Sequence, residues 1–504
     1  MSETRTFDDD DGYDEGPDWQ MGWDEPDAAG QDDDRLRLTD VGKLARRARR
    51  RIVGAARAED RPGFSRLLTA HLGMTVDALD VVMESWPGYD HVNVQVGMDV
   101  WLAGEGRSHE LLGVADFRHD QLGLGDLLAA PDPREFVPKP GNVTWANLPS
   151  GPDGQVYRAV RAGLYLVQDD DSRAAVLLLG ADPEYGRPST QVQVVADRPG
   201  AANAIATEVR RLALEHNVFR GQVISFGGDM FGERQSVLQF HSRPTVTADD
   251  VILPSATLEM VRRQVVGVAQ HRERLLAAGQ HLKRGLLLYG PPGVGKTHTV
   301  RYLISELDDL TIVELSGDAL RLISMACSVA RTLQPAMIVV EDVDLIAEDR
   351  GQYPGQHPLL FQLLNEMDGL AQDADVVFLL TTNRADLLEP ALAARPGRVD
   401  QAVLLELPDA EGRRRLFDLY RGALSVDESR LTSVLDRTEG VTASFLKELL
   451  RRAALIAVAD SDAPVSSTDP LAVSADHLDA ALDELLDTRN AMTRVLLGGG
   501  REPS

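Results

Sequence analysis

A single cysteine, Cys327, stands in a chain of 504 residues. That excludes an internal disulfide and suits a reducing compartment. Aromatic residues are scarce, at 5% against 43% apolar residues overall, a balance usual for soluble globular proteins. No apolar run approaches the roughly 18–20 residues needed to cross a bilayer. The stretches "AAVLLLGA" (174–181) and "RGLLLYG" (284–290) are far shorter. The first residues are acidic and carry no apolar core, so they do not read as a secretory signal. The expected location is cytoplasmic. Several catalytic signatures are also missing: HExxH, spaced Cys/His clusters and GxSxG. His109 and His119 read as surface histidines.

Charge is present in excess, and it is uneven. The formal net charge is −27. About half of it comes from residues 1–34, where fourteen acidic residues face one arginine, Arg5. Such a segment cannot bury enough apolar surface to offset ordering entropy, so a disordered acidic tail is expected. Trp19 and Trp23 within it read as incidental aromatics or as a short docking motif. The overall acidity argues against nucleic acid as a partner. Residues 35–57 reverse the sign, with nine Lys and Arg against Asp40. Leu44, Ala45, Ala48, Ile52 and Ala55 fall at helical spacing, which predicts a basic amphipathic helix within a segment 35–88. Its basic side is a solvated face, a partner for the acidic tail, or a surface for nucleic acid or lipid.

The length predicts about two to four domains. Residues 89–247 read as a separate mixed α/β domain and a candidate recruiter of a protein substrate or adaptor. "HVNVQVGMDVWLA" (91–103) alternates Val92, Val94 and Val96 with Asn93 and Gln95, the pattern of a half-buried strand. Strands are also predicted at 174–180, 190–197, 221–226 and 236–241, and a helix at 203–217. A new domain is expected over 248–410, then a helical segment over 411–490 and a flexible tail over 491–504.

The chemistry lies in "RGLLLYGPPGVGKTHTVRYLISEL" (284–307). An apolar strand leads into Gly290-x-x-x-x-Gly295-Lys296-Thr297 and a helical pattern follows, which is the context of a phosphate-binding P-loop. The loop Gly290, Pro291, Pro292, Gly293, Val294, Gly295 is expected to turn its N–H groups toward phosphate oxygens. Lys296, Thr297 and His298 open the helix, whose dipole favours anions. Lys296 is expected to reach the outer phosphates of ATP, and the Thr297 hydroxyl to reach Mg²⁺. A second apolar strand, Met337 to Val340, ends in Glu341-Asp342. A third, "VVFLLTTN" (376–383), ends in Asn383, a short amide able to orient a water. Acids at the C-terminal ends of parallel strands lie where ligands bind in open α/β sheets. The fold class expected is therefore a P-loop α/β unit with a C-terminal helical lid.

These blocks, in this order, resemble an AAA ATPase module of the AAA+ superfamily over residues 250–490. "GPPGVGKT" (290–297) resembles its Walker A motif and "AMIVVEDVDLIAEDRG" (336–351) its Walker B motif. "LLNEMDGL" (363–370) and "TTNRADLLEPALAARPGRVDQ" (381–401) resemble its second region of homology. The resemblance implies ATP and Mg²⁺ as cofactors, a homo-oligomeric and typically hexameric ring, and remodelling of protein targets. It assigns Thr297 and Glu341 to magnesium, Asp342 to the attacking water, Asn383 to sensor 1, and Arg395 and Arg398 to arginine fingers that reach a neighbouring subunit.

The departures are as informative. Pro390 to Arg395 is one residue longer than the usual spacing to the first finger. The sensor 2 region, "GVTASFLKELLRRA" (440–453), matches loosely, so Lys447 and Arg451 are either nucleotide contacts or part of a solvated helix face. The stretch 315–340 lacks the aromatic loop with which threading enzymes of the family grip a chain; Leu322, Ile323 and Met325 could line a pore or pack a core. The shortened loop, together with Glu-Asp in place of Asp-Glu, resembles the mitochondrial AAA translocases of a folded Rieske protein. Those carry a membrane anchor, for which no apolar run here is long enough.

Overall fold

The computed structural model describes residues 63–74, 79–115, 122–128, 139–227, 237–345, 358–371, 374–386, 388, 399–461 and 470–487. All belong to one compact unit that starts at Pro62. The acidic tail, the basic segment 35–57 and the C-terminal tail lie outside the described residues.

The first part opens with helix α1 (Phe64–Leu72), strand β1 (Val82–Pro87), helix α2 (His91–Leu102), β2 (Ser108–Val114) and α3 (Leu124–Leu128). Then come β3 (Pro140–Gly141), β4 (Thr144–Pro149), β5 (Val156–Gln168), β6 (Arg173–Leu179), β7 (Ser189–Ala196) and α4 (Ala201–Glu215). The strands form one antiparallel sheet in the order β1-β7-β6-β5-β2-β3, with β4 on β5. Alternation along β6 sends Ala174, Val176 and Leu178 to one face and Ala175, Leu177 and Leu179 to the other. Helices α2 and α4 cover the first face, α1 and α3 the second. Both faces are thus covered, which explains the unbroken apolar run in β6.

The strand expected at 91–103 is helix α2. Its alternating valines mislead because Asn93 and Gln95 do not face water; both are buried. Asn93 accepts from the Val218 N–H at 2.8 Å and donates to Asp90 at 2.7 Å. Gln95 accepts from the Val160 N–H at 2.9 Å and donates to Asp99 at 2.8 Å. Polar side chains that are satisfied internally can line a buried helix face. Gly97 lets α2 meet α4 closely: a Cβ there would stand 2.7 Å from the Ala213 nitrogen.

The second part holds β8 (Val223–Gly227), β9 (Val237–His241), α5 (Ser255–Arg262), a π-turn (Arg263–Gly267), α6 (Val268–Ala277), β10 (Arg284–Tyr289) and α7 (Lys296–Ser305). It continues through β11 (Thr311–Leu315), a 3₁₀ segment (Gly317–Leu322), α8 (Ile323–Thr332), β12 (Ala336–Val340), α9 (Pro358–Asp368), β13 (Val376–Thr382) and β14 (Gln401–Leu404). The sheet order is β14-β10-β13-β12-β11-β8-β9, parallel except for β9. Strands β8 and β9, expected from sequence inside the segment 89–247, therefore extend this second sheet. Residues 82–87, expected inside the segment 35–88, pair in the first sheet as β1. The two parts share one core: Val92 of α2 is buried with Phe219, Ile224, Phe226 and Leu238, and Tyr89, Leu148 and Tyr157 pack against it.

The C-terminal part comprises α10 (Ala410–Tyr420), β15 (Ser425–Val426), α11 (Leu431–Arg437), α12 (Ala443–Ala459), β16 (Ala472–Val473) and α13 (Ala475–Leu486), around its own core.

Candidate nucleotide site

The site forms at the C-terminal ends of the parallel strands, where the loop 290–295 joins β10 to α7. Gly290, Gly293 and Gly295 adopt φ of 148°, 83° and 105°, conformations that favour glycine. A Cβ on Gly290 would stand 2.4 Å from the Leu405 carbonyl oxygen, so the loop is pressed against the exit of β14. Beside Gly295 a Cβ would meet nothing within 4 Å. Val294 is buried in the core and anchors the loop.

Lys296 is 7% exposed. Its Nζ donates to Gly290 O at 2.8 Å, Pro291 O at 3.0 Å and Asn383 Oδ1 at 2.6 Å. Burial lowers its pKa, opposed by the charges of Asp342 and Asp344. An ammonium enclosed by three uncharged oxygens, at a helix start with an exposed hydroxyl beside it, fits a phosphate anion. That hydroxyl, Thr297, hydrogen-bonds the Glu341 carboxylate. Burial raises the Glu341 pKa, the Thr297 bond lowers it, Asp342 raises it and Arg301 lowers it. A carboxylate in this state gains from a nearby cation. The pair Thr297 and Glu341 is therefore a fitting donor set for Mg²⁺.

Asn383, at the end of β13, links the charged groups. Its Oδ1 accepts from Lys296 and its Nδ2 donates to Asp342 Oδ1 at 3.1 Å. Asp342 has φ of 50°, an uncommon setting for a residue with a side chain. It is fixed there by β13: its N–H donates to Thr381 Oγ1 at 3.1 Å, and the next N–H, of Val343, donates to Thr381 O at 2.9 Å. Asp344 is buried and accepts from Thr382 Oγ1 at 2.7 Å and the Asn383 N–H at 3.2 Å. It braces the turn that carries the other two acids.

Lys296, Thr297, Glu341, Asp342 and Asn383 thus come together as the sequence places them. Pro291, Pro292 and Gly293 shape the loop. His298 turns elsewhere, its Nε2 lying 3.0 Å from Asp250 O. Arg395 and Arg398 lie outside the described residues. Lys447 sits over the Tyr420 ring, 5.8 Å from its centroid, and Arg451 pairs with Glu448 at 2.7 Å, so both are engaged within the helical part. Leu322, Ile323 and Met325 pack against the core beneath β11 and β12.

Two features escape the sequence reading. The Ser444 N–H donates to Gly293 O at 3.2 Å, so the start of α12 touches the glycine loop. On the other side of Glu341, β11 carries Glu314. Burial raises its pKa, His241 lowers it, Glu341 raises it and Arg301 lowers it. The signal for Glu314 was an acid inside the apolar run "TIVEL".

A parallel sheet with a glycine loop, an enclosed lysine and strand-end acids defines the class of P-loop nucleoside triphosphate-binding proteins. The family description "ATPase family associated with various cellular activities (AAA)" matches residues 286–407. The proteasome-activating nucleotidase of Thermococcus onnurineus is 30% identical over 279 residues, 52% of this chain and 69% of that protein. The ATP-dependent zinc metalloprotease FtsH 3 of Symbiobacterium thermophilum is 30% identical over 292 residues, 54% of this chain and 43% of that protein. FtsH of Thermus thermophilus is 30% identical over 240 residues, 45% and 38% of the two chains. The match thus covers less than half of these two FtsH proteins. The chain belongs to the AAA family of ATPases.

Proposed function

We propose that this chain is a Mg²⁺-dependent ATPase that assembles into a ring, expected to be a hexamer, and remodels or disassembles a protein target recruited through residues 89–247. The observation that carries this reading is the Lys296–Asn383–Asp342 chain of hydrogen bonds beside the Thr297–Glu341 pair. Family membership implies ATP and Mg²⁺ use, and the relatives' names describe ATP-dependent proteolysis and proteasome activation. In this reading Lys296 holds the outer phosphates, and Thr297 and Glu341 hold the metal. Bound magnesium would neutralise charge on the phosphates. Asp342 takes the proton of the attacking water, with its carboxylate aimed by Asn383. Arg395 and Arg398 serve a neighbouring subunit's nucleotide. A cytoplasmic location is part of the proposal; among the described residues no helix is long and apolar enough to cross a membrane.

The Glu341-Asp342 order and the short link from β11 to α8 support placement near the Rieske-protein translocases, a branch that handles its target without threading. The same link supports a second reading, an ATP-gated assembly scaffold with slow turnover. Leu322, Ile323 and Met325 serve the core, and no aromatic interrupts 316–335.

Phosphate release and nucleotide binding by the purified protein test the site. Lys296→Ala is expected to abolish both. Asp342→Asn is expected to keep binding and lower turnover roughly 10²-fold or more, as loss of a general base does. Full turnover in Asp342→Asn removes that residue from the base role, and full turnover in Lys296→Ala removes the whole site. Light scattering with and without ATP then separates the readings: a ring that persists without target-stimulated turnover favours the scaffold.

A further inference from the structure

One face of the four strands from β12 to β9 carries a polar line that runs obliquely away from the glycine-loop end of the sheet. In sheet order β12, β11, β8, β9 it consists of Glu341, Glu314, Ser225 and His241. Register puts them on one face. Glu314 pairs with Val339 on one side and with Ser225 on the other. Ile312 and Val339 share the core under α7, so Glu314 and Glu341, two residues further along their strands, face that helix as well. Val223 lies in the same core and pairs with His241. Ser225 Oγ stands 2.6 Å from His241 Nε2 and closes the row. Arg301, exposed on α7, acts on both Glu314 and Glu341.

Glu314 is not needed to build β11, whose neighbours Val313 and Leu315 are fully buried. It adds a half-buried negative charge next to another acid, which is costly unless a cation arrives. Arg301 supplies one, and a divalent ion at Glu341 would supply the rest. The same charge acts oppositely on the two parts of a metal–nucleotide complex: it attracts the metal and repels the polyphosphate.

We propose that Glu314 is a positioning residue that sets the balance between metal binding and nucleotide binding at this site, opposed by Arg301 and braced at the sheet edge by the Ser225–His241 pair. The proposal rests on the ATPase reading above. Its test is equilibrium binding by the full chain: a fluorescent ATP analogue titrated in EDTA, then Mn²⁺ titrated into the nucleotide complex and followed by electron paramagnetic resonance. Glu314→Gln, of equal size, is expected to tighten metal-free nucleotide binding and weaken Mn²⁺ binding, each about three- to tenfold, as removal of one nearby charge requires. Arg301→Gln, on an exposed position, is expected to move both constants the other way. A purely structural role for Glu314 weakens both together. Equal loss of both affinities, or an unchanged ratio in the two variants, overturns the proposal. Absence of any nucleotide binding by the unaltered chain overturns the ATPase reading instead.

Discussion

At the scale of single residues, a polar side chain holds a defined position where both its ends are bound. Asn383 is the clearest: one amide binds an ammonium through its oxygen and a carboxylate through its nitrogen, so its orientation is dictated from both ends. Its place at the site was legible in the sequence, where a polar residue ends an apolar strand; its link between Lys296 and Asp342 was not, because it depends on where three separate segments meet. His91 shows the opposite case. It is buried, it lies 2.9 Å from Val160 O, and burial pushes its pKa down from 6.5 to about 4. Released by unfolding it regains the higher value. Between the two values the unfolded chain binds more protons, so the contribution of His91 is complete above pH 6.5 and lost as the pH falls toward about 4. The full effect is on the order of 3 kcal/mol. Urea unfolding at pH 7 and near pH 4.5 is expected to show a smaller loss of stability on acidification in His91→Gln than in the parent; equal losses refute this account. Nothing in "YDHVNV" announces that role, because burial of a histidine depends on what packs over it, here Gly180, where a Cβ would stand 2.5 Å from the ring.

At the scale of elements, the glycine loop and helix α12 act on each other directly. Gly293 has φ of 83°, and a Cβ there would stand 2.9 Å from Ser444 Oγ and 3.0 Å from Thr442 Oγ1. Gly293→Ala therefore meets backbone strain and the start of a helix together. Its expected cost is about 1–3 kcal/mol, accompanied by weaker nucleotide binding. Thermal unfolding together with an ATP titration checks both, and a variant with unaltered melting would show that the contact is loose. Strands β10, β12 and β13 were readable because buried parallel strands are unbroken apolar runs with polar ends; β11, interrupted by Glu314, and the short β14 were not. Helix α2 was not: a helix buried on nearly all sides loses its 3.6-residue signature, and Asn93 and Gln95 then imitate the polar side of a strand. Strands β8 and β9 were read as strands, but not as members of the second sheet. Local pattern shows that a strand exists; its partner, here β11, is chosen by packing far along the chain.

At the scale of the whole described unit, the antiparallel sheet and the nucleotide sheet are fused. Tyr89 meets Phe226 edge-on at 5.8 Å and Phe219 at 6.4 Å, and Phe219 meets Phe240 at 5.8 Å. These rings lie between α2 and the outer strands of the nucleotide sheet, so the partition that the motifs suggest near residue 248 cuts through a core. A fragment from 248 onward would leave the β11 edge without its β8 partner, a known aggregation risk. It is expected to aggregate more than a fragment from 217 onward, as read by size-exclusion chromatography. Equal solubility would show that β8 and β9 are dispensable for the sheet.

The order of synthesis gives that arrangement another meaning. The outer strands β8 and β9 leave the ribosome before the glycine loop, and well before β11, the partner that joins them to the sheet. Until β11 emerges, Phe219, Ile224, Phe226 and Leu238 have only α2, Tyr89 and their surroundings to cover them. The antiparallel domain, whose last helix α4 precedes β8, is therefore expected to give this edge of the nucleotide sheet its first surface to fold against.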